Sequence, residues 1–455
     1  MLTVDPAPFA SAAAIFRQAL TAYLPAERIT VADHAARHRW LDNRGGGFVG
    51  RWSHSEAPYL VEPMEALTSD DYLTVVVPGP GRCGKTAIGE NWLLQSVDAD
   101  PANFLWYEPT NDVIEAYVKQ VINPMIEAHD PLARRLGPLP LHRSLHFKWF
   151  STGMSVEFLA MTENNLKNKS AGRIMVDEQD AAPDEIGDIY ELADQRRQTF
   201  GQQSKVLAVS HPDLARGLDP ARWTRGVMAL YARSNRCTWW WPCPHCNDFS
   251  SPNPTAARVT QLHYPEDAPL DEIRDAACLI CPSCGGTIED SKRRAMNQDG
   301  RWIGTGQSIA PDGSIEGERA KNDIAGYWIV GPMSPFIIGG IGTLAAARVR
   351  EERKLAFTGD DKPLRLIMAR RWGVPYEPKR RADEIDAATL AARATDRPLG
   401  IVPEGVRFLT AFVDVQNTRF ELLVRGWGEA GESWIIDVRR IVADTAVSPG
   451  AWDDL

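Results

Sequence analysis

The sequence predicts an α/β protein built on a doubly wound parallel sheet, and three observations predict it. Short apolar runs recur at Tyr72–Val77, Phe104–Tyr107, Ser155–Met161, Arg173–Val176 and Val206–Val209. Helical patterns separate them, the longest over Asn111–Ala128, and the first run opens straight into a glycine-rich loop. Apolar runs of this length suit strands covered on both faces, and strands alternating with helices return to one parallel sheet through crossovers.

Length and composition set the frame. At about 150 residues per domain, 455 residues suggest two to four domains. The apolar share of 44% and charged share of 24% are ordinary for a globular chain with a sizeable core. A net charge of −10 argues against coating nucleic acid by bulk electrostatics, though basic residues confined to one groove remain compatible with it. No signal peptide is expected at the N-terminus. The stretch Ile324–Ala347 is uncharged and long enough to span a bilayer, but it holds Pro332, Pro335 and five glycines. A buried turn leading into a helix over Gly342–Lys354 is expected instead, with no membrane partner.

Along the chain, the first forty residues alternate Ala-rich helical signals with polar breaks, Asp42–Trp52 reads as a Gly/Arg-rich loop, and Tyr59–Leu67 as a short helix. Between Cys237 and Arg294 the pattern lapses into short segments, and regular structure returns near Trp302. Residues 377–405 read as a linker, followed by strands at Arg407–Asp414, Arg419–Gly428 and Ser433–Arg439.

Gly79-Pro80-Gly81-Arg82-Cys83-Gly84-Lys85-Thr86 fits the phosphate-loop pattern Gly-x-x-x-x-Gly-Lys-[Ser/Thr] without a mismatch, between an apolar strand and a helix that opens at Ala87. Backbone amides of such a loop, Cys83 included, turn inward around phosphate oxygens, and the helix N-terminus adds positive potential. Lys85 is expected to reach the β- and γ-phosphates of ATP, and Thr86 to hold Mg²⁺. Arg82 is a candidate to stabilise charge on the γ-phosphoryl group in cis.

The run Arg173–Val176 ends in Asp177-Glu178, a pair suited to Mg²⁺ binding by Asp177 and to orientation of the attacking water by Glu178. Ser210, at the end of the next apolar run, is a candidate sensor of the γ-phosphate. Tyr59 could stack on adenine or serve as a hydrophobic staple.

Seven cysteines include two Cys-x-x-Cys pairs, Cys243/Cys246 and Cys281/Cys284. Four thiolates in two knuckles suit one closed tetrahedral Zn²⁺ site of structural kind. Cys83, Cys237 and Cys278 are left over, His245 is not expected to coordinate, and Trp239-Trp240-Trp241 is expected to pack rather than stack on nucleic acid. Further on, Asp414 at the end of a first strand followed by a meander is how an RNase H-like two-metal nuclease begins, using Mg²⁺ or Mn²⁺. The only further strand-borne acid nearby is Asp437 before the chain stops at Leu455, so cleavage by this chain alone is not expected.

The order of these elements resembles the lambda-like bacteriophage terminase large subunit. The resemblance rests on Pro58-Tyr59, the phosphate loop, Glu108-Pro109-Thr110, Asn123-Pro124-Met125-Ile126, Asp177-Glu178, Ser210-His211-Pro212, the cysteine pairs, Ser334-Pro335-Phe336 and Val413-Asp414-Val415-Gln416. It implies a viral packaging motor in the host cytoplasm: a translocating ATPase joined to an endonuclease, working as a homo-oligomeric ring on a capsid portal. Its expected partners are double-stranded DNA and a small terminase subunit. His211 stands where that family commonly carries Thr or Ser.

The expected division is a P-loop ATPase core with a helical extension over 1–236, a zinc-ribbon insertion over 237–295 and an ATPase C-terminal subdomain over 296–376. A linker over 377–405 and a partial, truncated RNase H-like domain over 406–455 complete it. Candidate DNA-gripping residues are Arg348, Arg350, Arg353, Lys354, Arg370, Arg371 and Lys379–Arg381. Two other readings stay open: a P-loop helicase or nucleic-acid remodeller with a zinc ribbon, and a degenerate prophage DNA-binding scaffold.

Overall fold

The computed structural model describes residues 11–13, 16, 28–42, 49–378, 391–392, 394, 396–416, 418–443, 445 and 449–453. Most of the expected N-terminal helical signals, residues 43–48 of the Gly/Arg-rich loop and the basic triplet Lys379–Arg381 lie outside the described residues. The chain forms two compact units, residues 1–378 and 379–455.

The first unit is organised by a ten-stranded sheet. Its strands are β1 (Thr74–Pro78), β2 (Phe104–Glu108), β3 (Phe147–Trp149), β4 (Ser155–Ala160), β5 (Arg173–Asp177), β6 (Lys205–Ser210), β7 (Cys237–Pro242), β8 (Phe249–Ser250), β9 (Arg301–Ile303) and β10 (Ile324–Trp328). The spatial order is β8-β7-β10-β1-β6-β5-β2-β4-β3, with β9 on β7. From β7 to β4 every neighbouring pair is parallel. Strands β3, β8 and β9 pair antiparallel at the margins. Every residue of β1, β2, β5, β6 and β10 is buried, which is why these strands read as unbroken apolar runs rather than alternating ones.

Two expectations change here. The helix expected over Gly342–Lys354 spans Gly340–Thr358, but the first five residues of Ile324–Ala347 are not part of a turn: they are β10, hydrogen-bonded to β1. Among the described residues no helix is long and apolar enough to cross a membrane. The segment 237–295 does not stand apart from the sheet either, because its first six residues are β7 and pair with β10. Trp239, Trp240 and Trp241 are buried on that strand.

The helices that matter for the site are α1 (Val31–His38), α2 (Val61–Ala66), α3 (Lys85–Asp98), α4 (Asn111–Tyr117), α5 (Asn123–Ala128), α6 (Asp130–Arg135), α7 (Gly226–Ala232), α8 (Leu270–Ala276) and α9 (Gly340–Thr358). The expected helix Asn111–Ala128 is continuous but passes through a π-turn at Val118–Ile122 before Pro124. That wider turn absorbs the proline, which cannot donate within a regular helix.

The second unit holds a three-stranded antiparallel meander: β11 (Phe408–Gln416), β12 (Arg419–Trp427) and β13 (Ser433–Val442).

Candidate nucleotide and metal sites

Gly84 adopts φ 91°, and a Cβ there would stand 2.6 Å from a Leu60 methyl, so only glycine fits at the base of α3. The loop is held from outside. Tyr59 donates its hydroxyl to the Cys83 carbonyl (3.0 Å), Ser334 donates to the Arg82 carbonyl (2.8 Å), and the Cys83 thiol donates to Pro80 O (3.1 Å). The amides of Gly79 and Gly81 are already committed, to Ser210 O and Arg370 O. The first-turn amides of α3, which have no acceptor within the helix, are the donors left for an anion.

Lys85 starts α3 and is buried, with Nζ 2.8 Å from Glu178 Oε1. Burial opposes its charge, but the Glu178 carboxylate outweighs that and holds the amine above its ordinary value. Glu178 follows β5 in the left-handed region (φ 54°), a conformation that turns its side chain back toward the loop. Burial would raise its carboxyl, yet Lys85 and His211 hold it below the ordinary range.

Strand β6 lies between β1 and β5, so its C-terminal end projects between loop and acids. His211 occupies that place. Its Nδ1 lies 3.1 Å from Gly79 O, its Nε2 3.3 Å from Glu178 Oε1, and its amide donates to Glu178 Oε2 at 3.4 Å. One imidazole thus ties the phosphate loop to the acidic pair. Burial and the Lys85 charge hold His211 below its ordinary value.

Ser210, the expected sensor, is fully buried and its Oγ accepts the Asp180 amide (3.0 Å), so the hydroxyl fastens the turn after β5. Stacking of Tyr59 on adenine is corrected. The ring is fully buried, packs edge-on against Trp239 and spends its hydroxyl on Cys83 O, leaving no face for a base.

Asp177 is buried, with a hydrogen bond from the Thr86 hydroxyl, while its Oδ1 has no partner. Burial, then the Glu178 charge, pushes its carboxyl up to about 7. An orphaned carboxylate oxygen beside the phosphate-loop hydroxyl fits a hard divalent cation such as Mg²⁺. Glu108, at the end of β2, is a third acid that sequence reasoning passed over. It accepts from Trp106 Nε1 (2.9 Å), and burial, then the Asp177 charge, drives its carboxyl well above the ordinary range. The signal was available: an acid closing the strand next to β5. Arg82 is exposed, with φ 57°, and makes no side-chain ion pair among the described residues.

In the second cysteine-bearing stretch, the sulfurs of Cys243, Cys246, Cys281 and Cys284 all lie within 4.8 Å of one another. The His245 amide points at Cys243 Sγ and the Gly286 amide at Cys284 Sγ, both at 3.4 Å, which favours thiolates. His245 turns its Nε2 to Thr287 O (2.9 Å), away from the sulfurs. The four-cysteine cluster is consistent with a zinc-binding module.

Residues 46–302 match the family of the phage terminase large subunit gpA, ATPase domain, and residues 324–455 match the terminase large subunit gpA, endonuclease domain. The chain belongs to the phage terminase large subunit gpA family. It is similar to the large terminase subunit of Enterobacteria phage P21, 23% identical over 456 residues, covering 95% of this chain and 66% of that protein. It is similar also to the large terminase subunit of Escherichia phage lambda, 24% identical over 446 residues, covering 94% of this chain and 64% of that protein. The chain therefore spans about two thirds of the length of these relatives. The crystal structure of the HK97 bacteriophage large terminase aligns with a TM-score of 0.41 and 12% identity, over 91% of this chain and 67% of that one. The terminase endonuclease match begins at Ile324, yet β10 is hydrogen-bonded inside the first unit's sheet, and the second unit begins at Lys379.

In this terminase chain's second unit, Asp414 lies on β11 directly opposite Glu421 of β12, so the two carboxylates share a face. Asp437 pairs with Val424, an odd number of residues from Glu421, and points to the other face. Glu421, not Asp437, stands opposite Asp414, and Arg419 (2.8 Å) and Arg440 (2.7 Å) pair with it. Of the expected gripping residues, Arg348, Arg350 and Lys354 are paired with acids of their own helix, α9, and Arg353 donates to two backbone carbonyls. Arg370 reaches Asp213 at 3.4 Å and remains half exposed.

Proposed function

We propose that the chain is the motor of a DNA-packaging terminase, a P-loop ATPase that converts ATP hydrolysis into movement along double-stranded DNA. The observation that carries this is the convergence of Lys85, Glu178 and His211, with Asp177 and Thr86 beside them. In the mechanism, the first-turn amides of α3 and Lys85 bind the β- and γ-phosphates. Asp177 and Thr86 would hold Mg²⁺, which supplies neutralisation of phosphate charge. Lys85 exchanges Glu178 for phosphate, and the freed carboxylate orients the attacking water and accepts its proton. His211 keeps Glu178 aimed across the loop. Arg82 is proposed to approach the γ-phosphoryl group in the closed state. Asp180, bonded to Ser210, to Leu214 N (3.1 Å) and to Val227 N (2.7 Å), links the turn after Glu178 to α7, a route for motion out of the site.

The rest follows the same reading. The four cysteines form a structural zinc ribbon, and the meander is the opening of an RNase H-like nuclease that uses Mg²⁺ or Mn²⁺ at Asp414. The whole assembly is a homo-oligomeric ring on a capsid portal in the host cytoplasm, loaded by a small terminase subunit. A helicase working as a monomer would require two motor sheets, and the described residues hold a single one.

The test is DNA-stimulated ATPase activity of the full chain beside Lys85→Ala and Glu178→Gln. A fall in turnover of about 10²–10⁴ in Glu178→Gln is expected for a lost general base. Equal rates in all three proteins would end the assignment.

A further inference from the structure

The far end of the phosphate-loop helix carries a second set of ligand-type side chains that the ATPase reading does not use. Asp98 is the last residue of α3. His34 Nε2 lies 3.0 Å and His129 Nε2 2.7 Å from the same oxygen, Asp98 Oδ2. The three ligand atoms all lie within 4.8 Å of one another. His38 stands one turn from His34 on α1, its ring 4.9 Å from His34 and 6.2 Å from His129 between centroids. Two imidazoles and one carboxylate, from α1, α3 and the α5–α6 corner, therefore face one point, with the exposed His38 ring beside them.

We propose that this cluster is a transition-metal site, a structural Zn²⁺ held by His34, His129 and Asp98 and closed by His38. Three arguments support it. Arg135 Nη1 occupies the other carboxylate oxygen, Oδ1, at 2.6 Å, which orients Asp98 and leaves Oδ2 for the metal. Tetrahedral zinc with bonds near 2.0 Å needs ligand atoms about 3.3 Å apart, a few tenths beyond the present contacts. His34 is buried with no partner at Nδ1, so what holds its ring is at Nε2. Access exists as well, since His38 is exposed. The metal would pin the C-terminal end of α3 to α1 and the α5–α6 corner, fixing the helix whose first turn binds phosphate.

The test is zinc titration of the metal-stripped full chain against a chromophoric chelator. Wild type should bind two equivalents, one of them at the four-cysteine module, and both Asp98→Asn and His129→Ala should bind one fewer, with circular dichroism confirming folded protein. Equal equivalents in all three overturn the proposal and leave an ion-pair network. Should either variant fail to fold, carbethoxylation of wild type decides. Zinc should abolish the reactivity of His38 while His245 and His263 keep theirs; unchanged reactivity of His38 overturns the site.

Discussion

Lys85 Nζ and Glu178 Oε1 stand 2.8 Å apart, so the lysine expected on phosphate and the acid expected on water hold each other when no nucleotide separates them. Glu178→Gln removes that grip and the base together. Nucleotide binding should tighten modestly while single-turnover hydrolysis falls, and filter binding alongside quenched-flow measures both. Weaker binding in the variant would mean that the pair positions the lysine and does not restrain it.

Asp177 and Asp180 are both pushed up to about 7 from an ordinary 3.8, chiefly by burial. A carboxyl raised by folding favours the folded state while protonated, and that contribution is lost as pH climbs through the folded value. Melting temperature of the nucleotide-free protein should fall between about pH 4 and 7, and Asp180→Asn should flatten part of the slope. A metal ligand must be ionised, so affinity for Mg²⁺·ATP should rise over the same interval and lose that dependence in Asp177→Asn.

Tyr59→Phe keeps the buried ring and deletes one hydrogen bond to Cys83 O. An unsatisfied buried carbonyl costs about 1–3 kcal/mol. The Michaelis constant should rise equally for ATP and GTP, measured side by side. A selective loss for ATP would restore an adenine contact.

Gly84→Ala should abolish nucleotide binding. A non-glycine residue at this φ costs about 1–2 kcal/mol, and its methyl would strike Leu60. Leu60→Ala in the same chain removes the collision but not the strain, so it should restore binding only in part by calorimetry.

Cys281→Ser should release the metal of the four-cysteine module and open residues 243–288 to limited proteolysis, while residues of β1 to β6 keep their amide-exchange protection. Loss of protection in those strands would make the module part of the sheet's own stability.

These tests separate what was written in the sequence from what was not. Residues 79–86 were legible because the chemistry is encoded by local spacing, and Asp177-Glu178 because an apolar strand ended in it. Ser210 and His211 were not separable. They are consecutive at a strand end, and which of two neighbours faces the crevice is a one-residue question of register. Asp414 was placed on its strand, but the acid opposite it, Glu421, became visible only through cross-strand pairing. Tyr59 looked like a base-stacking ring because nothing local shows that Trp239, 180 residues on, covers it. The expected zinc insertion lent its first strand to the main sheet because β7 finds a parallel neighbour in β10, a pairing between distant segments.

Neighbouring strands run about 4.8 Å apart, so placing β6 between β1 and β5 sets the anion cradle and the acidic edge about 10 Å from each other. Side chains span that interval: Lys85 crosses it to Glu178, and His211 bridges it from the strand between. Directly paired strands would leave no intervening strand end to carry His211 into the crevice.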